Sequence, residues 1–297
     1  MNVAKSIKDI VCFNQGEIAQ YTYLSSVFHK ALKECLLKDE KNFQDISLHF
    51  RALSDYLNKN LERICKRNFK LLQDYFSDRS LPMPRVCLKV NEGDEKISDL
   101  FREDSSSYQE AFYLQDNTGF AYVIEKGRYF LCNNIPLSYI RGEYKNSRLD
   151  DSQVDDYKFI ALLGGLIGRK KGNDRHWAKL WKSRSDDLDQ TESLKGINRS
   201  CYKSTIIIPM TLWNNDLSED YKLIMGNNLG INSFSIERTI FGFLCFDDVV
   251  INYFTKRDVD VGYVVADLLS LYFITYLNYS NWSKTFIKAS ELLKKST

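Results

Sequence analysis

The sequence predicts an α+β fold, in which a helical N-terminal segment precedes an antiparallel sheet that is flanked by helices. Two observations support this prediction. Residues 18–75 place apolar side chains at steps of three and four, which is the spacing of one helix face. Beyond Pro82 and Pro84 the spacing changes to two, which is typical of half-buried strands. We therefore expect a helical segment over residues 1–79 and a mixed domain over residues 80–297.

The helical segment contains a regular apolar seam with one interruption. A first part covers residues 18–37, the polar stretch 38–42 interrupts it, and the seam resumes over residues 46–75. Either the two parts pack together as a helical hairpin, or the seam forms a coiled-coil-like dimer face that transmits a signal. The residues assigned to the dimer interface in the second case are Phe50, Leu53, Leu57, Leu61 and Ile64.

The second part of the chain alternates strands with short helices. Polar residues 91–107 predict a loop with room for a short helix, Gly127 is placed to end a helix in the left-handed conformation, and Thr255 with Asp258 forms an acidic variant of the capping box. The predicted strands cover residues 85–90, 111–114, 128–133, 204–210 and 239–246. The predicted helices cover residues 119–126, 154–167, 174–183, 255–277 and 280–294.

Three stretches of this part resemble a GAF domain, the small sensor fold related to PAS domains. They are GFAYVIEKGRYFLCNNIP at 119–136, YKSTIIIPM at 202–210, and IFGFLCFDDVVINYFTKRDVDVGYVVADLLSLYF at 240–273. The third is the most specific, because it joins G-F-L-x-F-D to F-T-x-x-D and then to an apolar helix. The resemblance covers about residues 80–278, and it implies a GAF-like sheet and a sensing or dimerising role.

The sequence also departs from that family. Residues 137–199 form a much longer insertion than a minimal GAF domain has. The signature of the cyclic-nucleotide branch is absent, and no Cys-His pair lies where a bilin chromophore would attach. The resemblance therefore leaves the ligand and any cofactor unidentified.

The insertion contains the candidate ligand-binding residues. In the family, an inserted segment over the sheet commonly forms a lid, and here it carries a basic stretch over residues 164–184 followed by the acidic stretch 186–192. Three interpretations remain open, namely a lid for a small anion, a solvated loop whose tryptophans pack on the domain, and a nucleic-acid patch. The candidates are Arg169, Lys170, Lys171, Arg175, Trp177 and Trp181, with Cys132 and Asn133 at a predicted strand end.

Composition narrows the classes of function. The 297 residues carry a net charge of only +2 and contain only three histidines, so a histone-like polyanion binder and multi-histidine chemistry are disfavoured. The seven cysteines are widely spaced without C-x-x-C, which indicates reduced thiols and predicts neither a disulfide framework nor a zinc site. The uncharged run 268–283 is too short for a membrane span. We expect a cytoplasmic protein with no catalytic residues and no metal site.

These observations favour a non-enzymatic sensor or regulator that binds a small, nucleotide-like or otherwise anionic ligand. We expect a homodimer that signals to a separate effector protein, as in bacterial two-part systems, without contact with a membrane. Two alternatives belong to other classes. One is an assembly scaffold with a degenerate pocket, and the other is a nucleic-acid binder that uses the basic residues 169–184.

Overall fold

The computed structural model describes residues 3–36, 43–77, 79, 83–93, 95–102, 111–164, 175–181, 201–213, 238–274 and 276. These residues form helices and a six-stranded sheet, which agrees with the predicted α+β class. They divide between two compact units. The first contains the described parts of Met1–Tyr75, Trp213–Glu237 and Asp267–Thr297, and the second contains those of Phe76–Leu212 and Arg238–Ala266.

Two helices of 34 residues each, α1 (Val3–Leu36) and α2 (Phe43–Phe76), dominate the first unit. The helix α1 begins well before the predicted seam, because residues 3–17 contain no proline and the isolated Gly16 is tolerated inside a helix. Three residues of the predicted dimer seam are buried within a single chain, namely Leu57, Leu61 and Ile64. Phe50 and Leu53 lie on α2, but their side chains fall outside the described residues.

A buried pair of asparagines links α1 to α2. The Asn14 amide nitrogen donates to Asn68 Oδ1 at 2.7 Å, and the Asn68 amide nitrogen donates to Asn14 Oδ1 at 3.1 Å. Each amide also donates to a carbonyl one turn earlier in its own helix, at Ile10 and Ile64. Both side chains are fully buried. A buried polar pair of this kind specifies the register of two helices, since a slip would leave both amides unpaired.

We expect Asn14→Ala to lower the free energy of unfolding by about 1–3 kcal/mol, because it leaves a buried amide of Asn68 without its partner. Urea denaturation measures the change. Asn68→Ala orphans Asn14 in the same way, whereas the double alanine variant leaves no orphaned amide, so it should lose less than the sum of the two single variants. Exposed Asn58→Ala on α2 is the matched control, with a change within about 0.5 kcal/mol. Additive losses would contradict the proposed register role.

The sheet of the second unit has the order β3-β2-β1-β6-β5-β4. Antiparallel pairing joins β1 to β2 and β6, β2 to β3, and β4 to β5. The strands are β1 (Arg85–Gly93), β2 (Lys96–Arg102), β3 (Ala111–Tyr113), β4 (Phe130–Cys132), β5 (Ser204–Trp213) and β6 (Arg238–Asp248).

All five predicted strands are present, but the predicted loop over residues 91–107 was wrong. It contains the end of β1 and all of β2. Strand β2 lacks a regular alternation of apolar residues, because one of its inward positions is the charged Asp99. Asp99 is 4% exposed, and the neighbouring inward residue Ile97 is fully buried. Its carboxylate forms ion pairs with Lys89 of β1 and Arg102 of β2, so the side chain of Asp99 points inward although it is charged.

Five α-helices accompany the strands in the described part of the second unit. They are α3 (Thr118–Lys126), α4 (Ile135–Ile140), α5 (Val154–Gly164), α6 (Arg175–Leu180) and α7, which covers residues 256–274 and extends into the first unit. Gly127 ends α3 with φ 63° as predicted. The short α4 was not predicted, and the side chain of Asn134 caps it by accepting from Leu137 N.

One of the two bonds of the predicted capping box is present at the start of α7, namely the bond that the Asp258 carboxylate accepts from Thr255 N. Asp258 Oδ2 accepts from Thr255 N at 2.7 Å and from Thr255 Oγ1 at 2.9 Å. Arg79 binds the same carboxylate through both terminal nitrogens at 2.6 Å. Burial alone would raise the pKa of Asp258, but Arg79 and the Thr255 N–H outweigh it and hold that pKa below its usual value.

The two faces of the central strands differ in chemistry. One face carries Val86 and Leu88 of β1 with Phe246 of β6, all nearly inaccessible, and it packs on α7. Close approach of α7 requires Gly262, since a Cβ there would lie 2.1 Å from Ile208 Cδ1 and 3.1 Å from Phe246 Cε2. The other face carries the intervening residues of the same strands, and several of these are charged. Among the described helices, none combines the length and hydropathy that a membrane crossing requires.

Candidate anion-binding cavity

A cavity opens on the charged face of the sheet. Strands β1, β2, β5 and β6 form its floor, and the first turn of α3 and the loop 144–148 form its walls. Its volume, counted as space for the centres of water-sized molecules, is about 70 Å³. One water needs roughly 10–15 Å³ on this measure, so the cavity has room for a group the size of phosphate or carboxylate.

The register of β1 against β6 determines the floor. Arg85 lies opposite Asp247, Cys87 opposite Cys245, and Lys89 opposite Phe243. Because side chains alternate along a strand, the three β1 residues all point to the same face of the sheet. The floor therefore juxtaposes two cations, one carboxylate and two thiols.

Cations dominate the described lining. Five of the lining residues are basic and one, Asp247, is acidic. The five are Arg85, Lys89, Arg102, Lys145 and Arg148. Because basic side chains outnumber acidic ones in this lining, we expect the cavity to attract anions.

The buried carboxylate of Asp99 neutralises two of these cations, Lys89 and Arg102. Asp99, whose side chain is 2% exposed, accepts from Lys89 Nζ and from the guanidinium of Arg102. Burial alone would raise the pKa of Asp99, but Lys89 and Arg102 together outweigh it and keep that pKa below its usual value. The carboxylate is thus ionised at neutral pH, and it fixes both cations at the edge of the cavity.

Arg85 retains hydrogen-bonding capacity for an anion. Its nearest contact with Asp247 is 3.5 Å, and Asp247 also accepts from Thr205 Oγ1 at 2.8 Å. Among the described residues, no hydrogen-bond acceptor faces the buried Nε of Arg85. The guanidinium lies 5.7 Å from the ring centre of Tyr202, which limits its rotation. A planar fork held in this way suits bidentate recognition of an oxyanion.

Two tyrosines give the cavity neutral hydrogen-bonding groups. Burial is the main cause that raises the pKa of both Tyr144 and Tyr202, so both phenols stay protonated near neutral pH. The Asn146 amide donates to Tyr202 Oη at 2.8 Å and to Tyr144 Oη at 3.4 Å, which orients both hydroxyls. These groups can orient a ligand, but they are poorly suited to carry protons in catalysis.

The wall loop is fastened to the start of α3. Thr118 N donates to the Lys145 carbonyl at 3.1 Å, and Lys145 N donates to Thr118 Oγ1 at 2.7 Å. The next residues of α3, Gly119 and Phe120, line the cavity. The N-terminus of a helix carries partial positive charge, so α3 adds to the field of the side-chain cations.

Some of the ligand-binding residues predicted from the sequence lie away from this cavity, and the others fall outside the described residues. Arg169, Lys170 and Lys171 fall outside the described residues. Arg175 begins α6, but its side chain is also outside them.

Trp177 and Trp181 are buried, 1% and 5% exposed, in a cluster of aromatic and aliphatic side chains behind the cavity wall. The Trp177 indole N–H donates to the Tyr202 carbonyl at 3.2 Å, and the Trp181 ring lies 4.7 Å from the ring of Tyr202. The tryptophans thus support a residue that lines the cavity, and they do not line it themselves.

Cys132 and Asn133 lie at the end of β4, away from the cavity lining. Asn133 donates to the Phe254 carbonyl at 2.8 Å and accepts from Phe254 N at 3.1 Å. Burial raises the pKa of the Cys132 thiol, which keeps it protonated. These contacts tie β4 to the segment that precedes α7.

Sequence reasoning missed the cationic residues of the floor. The signal was present in RVCLKV, where one face of the strand carries Arg85, Cys87 and Lys89 and the other carries only aliphatic residues. Charged residues on the face of a predicted central strand indicate a site, because an ordinary core excludes them.

Comparisons with known proteins give little beyond this description. No family model matches the chain, and no curated protein matches it. Among solved structures, the chain is similar to the chromophore-binding domain of an unusual bacteriophytochrome from R. palustris, with 9% sequence identity and a TM-score of 0.31. The match covers 78% of this chain and 61% of that chain. The function must therefore be inferred from the cavity.

Proposed function

We propose that the protein is a non-enzymatic, GAF-like sensor or regulator that binds a small oxyanion in the cavity on the sheet. The observation that carries the proposal is the lining of five cations against one carboxylate. The ligand class that suits it is a phosphate or carboxylate group, either alone or as part of a nucleotide-like molecule.

The energetics of the lining favour an anion. Removing a cation from water costs several kcal/mol unless an opposite charge lies nearby. Asp99 and Asp247 compensate only part of the charge here, since the first is shared between Lys89 and Arg102. A bound oxyanion would supply the rest and would meet the guanidinium of Arg85 and the N-terminus of α3 together.

The charged side chains in the lining also favour a binding protein over a scaffold with a degenerate pocket. In the latter, aromatic side chains would fill this face of the sheet, whereas here Phe112 and Phe120 line a cavity that Arg85 also lines. The proposal includes the basic residues 169–171 and Arg175 as a lid over the ligand. It also includes a homodimer and a separate effector protein, both of which are expected from a GAF-like architecture.

The proposal is tested by thermal denaturation with inorganic phosphate, pyrophosphate and AMP at low ionic strength, followed by calorimetric titration with the most effective probe. We expect at least one of them to raise Tm, because a ligand that binds only the folded state stabilises it. Arg85→Gln should weaken the affinity by about tenfold or more, since a charge-assisted hydrogen bond contributes roughly 1.5–3 kcal/mol.

Arg141→Gln is the matched control, because Arg141 is exposed at the end of α4 and lies outside the cavity. It should bind the probe like the wild type. If none of the three probes raises Tm, or if the two arginine variants bind equally well, the cavity is not an anion site.

A further inference from the structure

The floor of the cavity contains a pair of cysteines that the proposed function does not use. Cys87 of β1 and Cys245 of β6 are direct partners in the antiparallel register. Both line the cavity, and both are reduced. Direct partners have Cα atoms roughly 4.5–5.5 Å apart, which lies within the range that a disulfide spans.

The two thiols have different chemical environments. The interaction between the two thiols, helped by the charge of Lys89, lowers the pKa of Cys87. Burial and the neighbouring Cys87 raise the pKa of Cys245. Cys87 is also the more accessible of the two, at 9% against 2% exposed. Cys87 is thus suited to attack an oxidant, and Cys245 is suited to resolve the product.

We propose that Cys87 and Cys245 form a peroxide-sensitive dithiol, which closes to a disulfide across the floor of the cavity. The cavity volume of about 70 Å³ admits hydrogen peroxide, which is close to water in size, to the Cys87 sulfur. The site is independent of the anion proposal, because its chemistry needs no other ligand.

The reaction is balanced by the peroxide alone. The Cys87 thiolate attacks one peroxide oxygen, the O–O bond breaks, and a sulfenic acid forms as hydroxide leaves. Cys245 gives its proton to that hydroxide, and its sulfur attacks the Cys87 sulfur. The S–S bond forms as the S–O bond breaks, and the second hydroxide leaves. With the proton that Cys87 had released to solvent, the products are one disulfide and two waters, and two electrons have passed from sulfur to oxygen.

The test treats the reduced full-length chain with hydrogen peroxide, blocks the remaining thiols with an alkylating agent, and maps the digested peptides by mass spectrometry. We expect a linked peptide pair that contains Cys87 and Cys245, which a dithiol reductant separates. In Cys245→Ser, dimedone should trap the sulfenic acid at Cys87, with labelling roughly tenfold above that of Cys65. The thiol of Cys65 is fully buried, and burial raises its pKa, so it serves as an internal control.

Two outcomes would overturn the proposal. One is an oxidised wild-type chain whose peptides contain no link between these cysteines, a result that does not depend on whether any variant folds. The other is a Cys245→Ser chain, folded by circular dichroism, in which dimedone labels Cys87 no more than Cys65. Neither outcome bears on anion binding, which is measured without peroxide.

Discussion

Asp99→Ala is expected to lower the free energy of unfolding by about 3–5 kcal/mol, because it leaves two cations in the sheet without their shared carboxylate. The side chains of Lys89 and Arg102 are only 10% and 12% exposed, so hydration compensates only part of the loss of Asp99. Urea denaturation at neutral pH measures the loss. Exposed Glu62→Ala is the matched control, since its ion pair with Lys66 on α2 contributes less than about 1 kcal/mol.

The same carboxylate predicts a dependence of stability on pH. The pKa of Asp99 is lower in the folded state than its ordinary value of 3.8. The stabilisation is therefore fully present above that value, and it is lost as the pH falls through the lower, folded pKa. Asp99→Asn cannot titrate, so its deficit against the wild type should be constant above about pH 4 and should shrink as the pH falls below that value. A deficit that does not shrink in acid would show that the ionised carboxylate is not the stabilising group.

The strand that carries Asp99 illustrates what the sequence alone could and could not predict. Strands β1, β5 and β6 have enough β-branched and aromatic residues to be recognised locally, and the glycine and capping signals at Gly127 and Thr255 are equally local. In β2, by contrast, an inward Asp99 makes sense only beside Lys89 of β1. Pairing between strands is a tertiary property, so no local pattern could report it.

The ligand-binding residues predicted from the sequence and the lining of the proposed cavity rest on different signals. The prediction from the sequence rests on residues 164–184, which form a continuous basic stretch. The cations of the cavity instead come one or two at a time from separate elements, namely β1, β2 and the loop 144–148. They lie together only because of the sheet register and the contact of that loop with Thr118. A similar limit applies to the cysteines, because Cys87 and Cys245 are far apart in sequence and become neighbours only through pairing of β1 with β6.

Trp177→Ala is expected to cost about 3–5 kcal/mol of unfolding free energy, as for other large side chains removed from a packed core. The Trp177 ring is 1% exposed and lies 5.5 Å from the ring of Tyr157 and 5.8 Å from that of Trp181. Its loss also removes the hydrogen bond to the carbonyl of Tyr202. Chemical denaturation measures the change, and Phe159→Ala, at a position that is 65% exposed, should alter stability by no more than about 0.5 kcal/mol.

The sequence left open whether Trp177 contacts a ligand or supports the domain, and a conservative variant separates these roles. Trp177→Phe keeps most of the ring volume but cannot donate to Tyr202, so a supporting role predicts a moderate loss of stability, with the affinity for a phosphate probe unchanged in the folded protein. A contact with the ligand predicts the reverse, namely a weaker affinity at nearly unchanged stability. Because the ring is fully enclosed by protein, we expect the first result, and the second would return Trp177 to the binding surface.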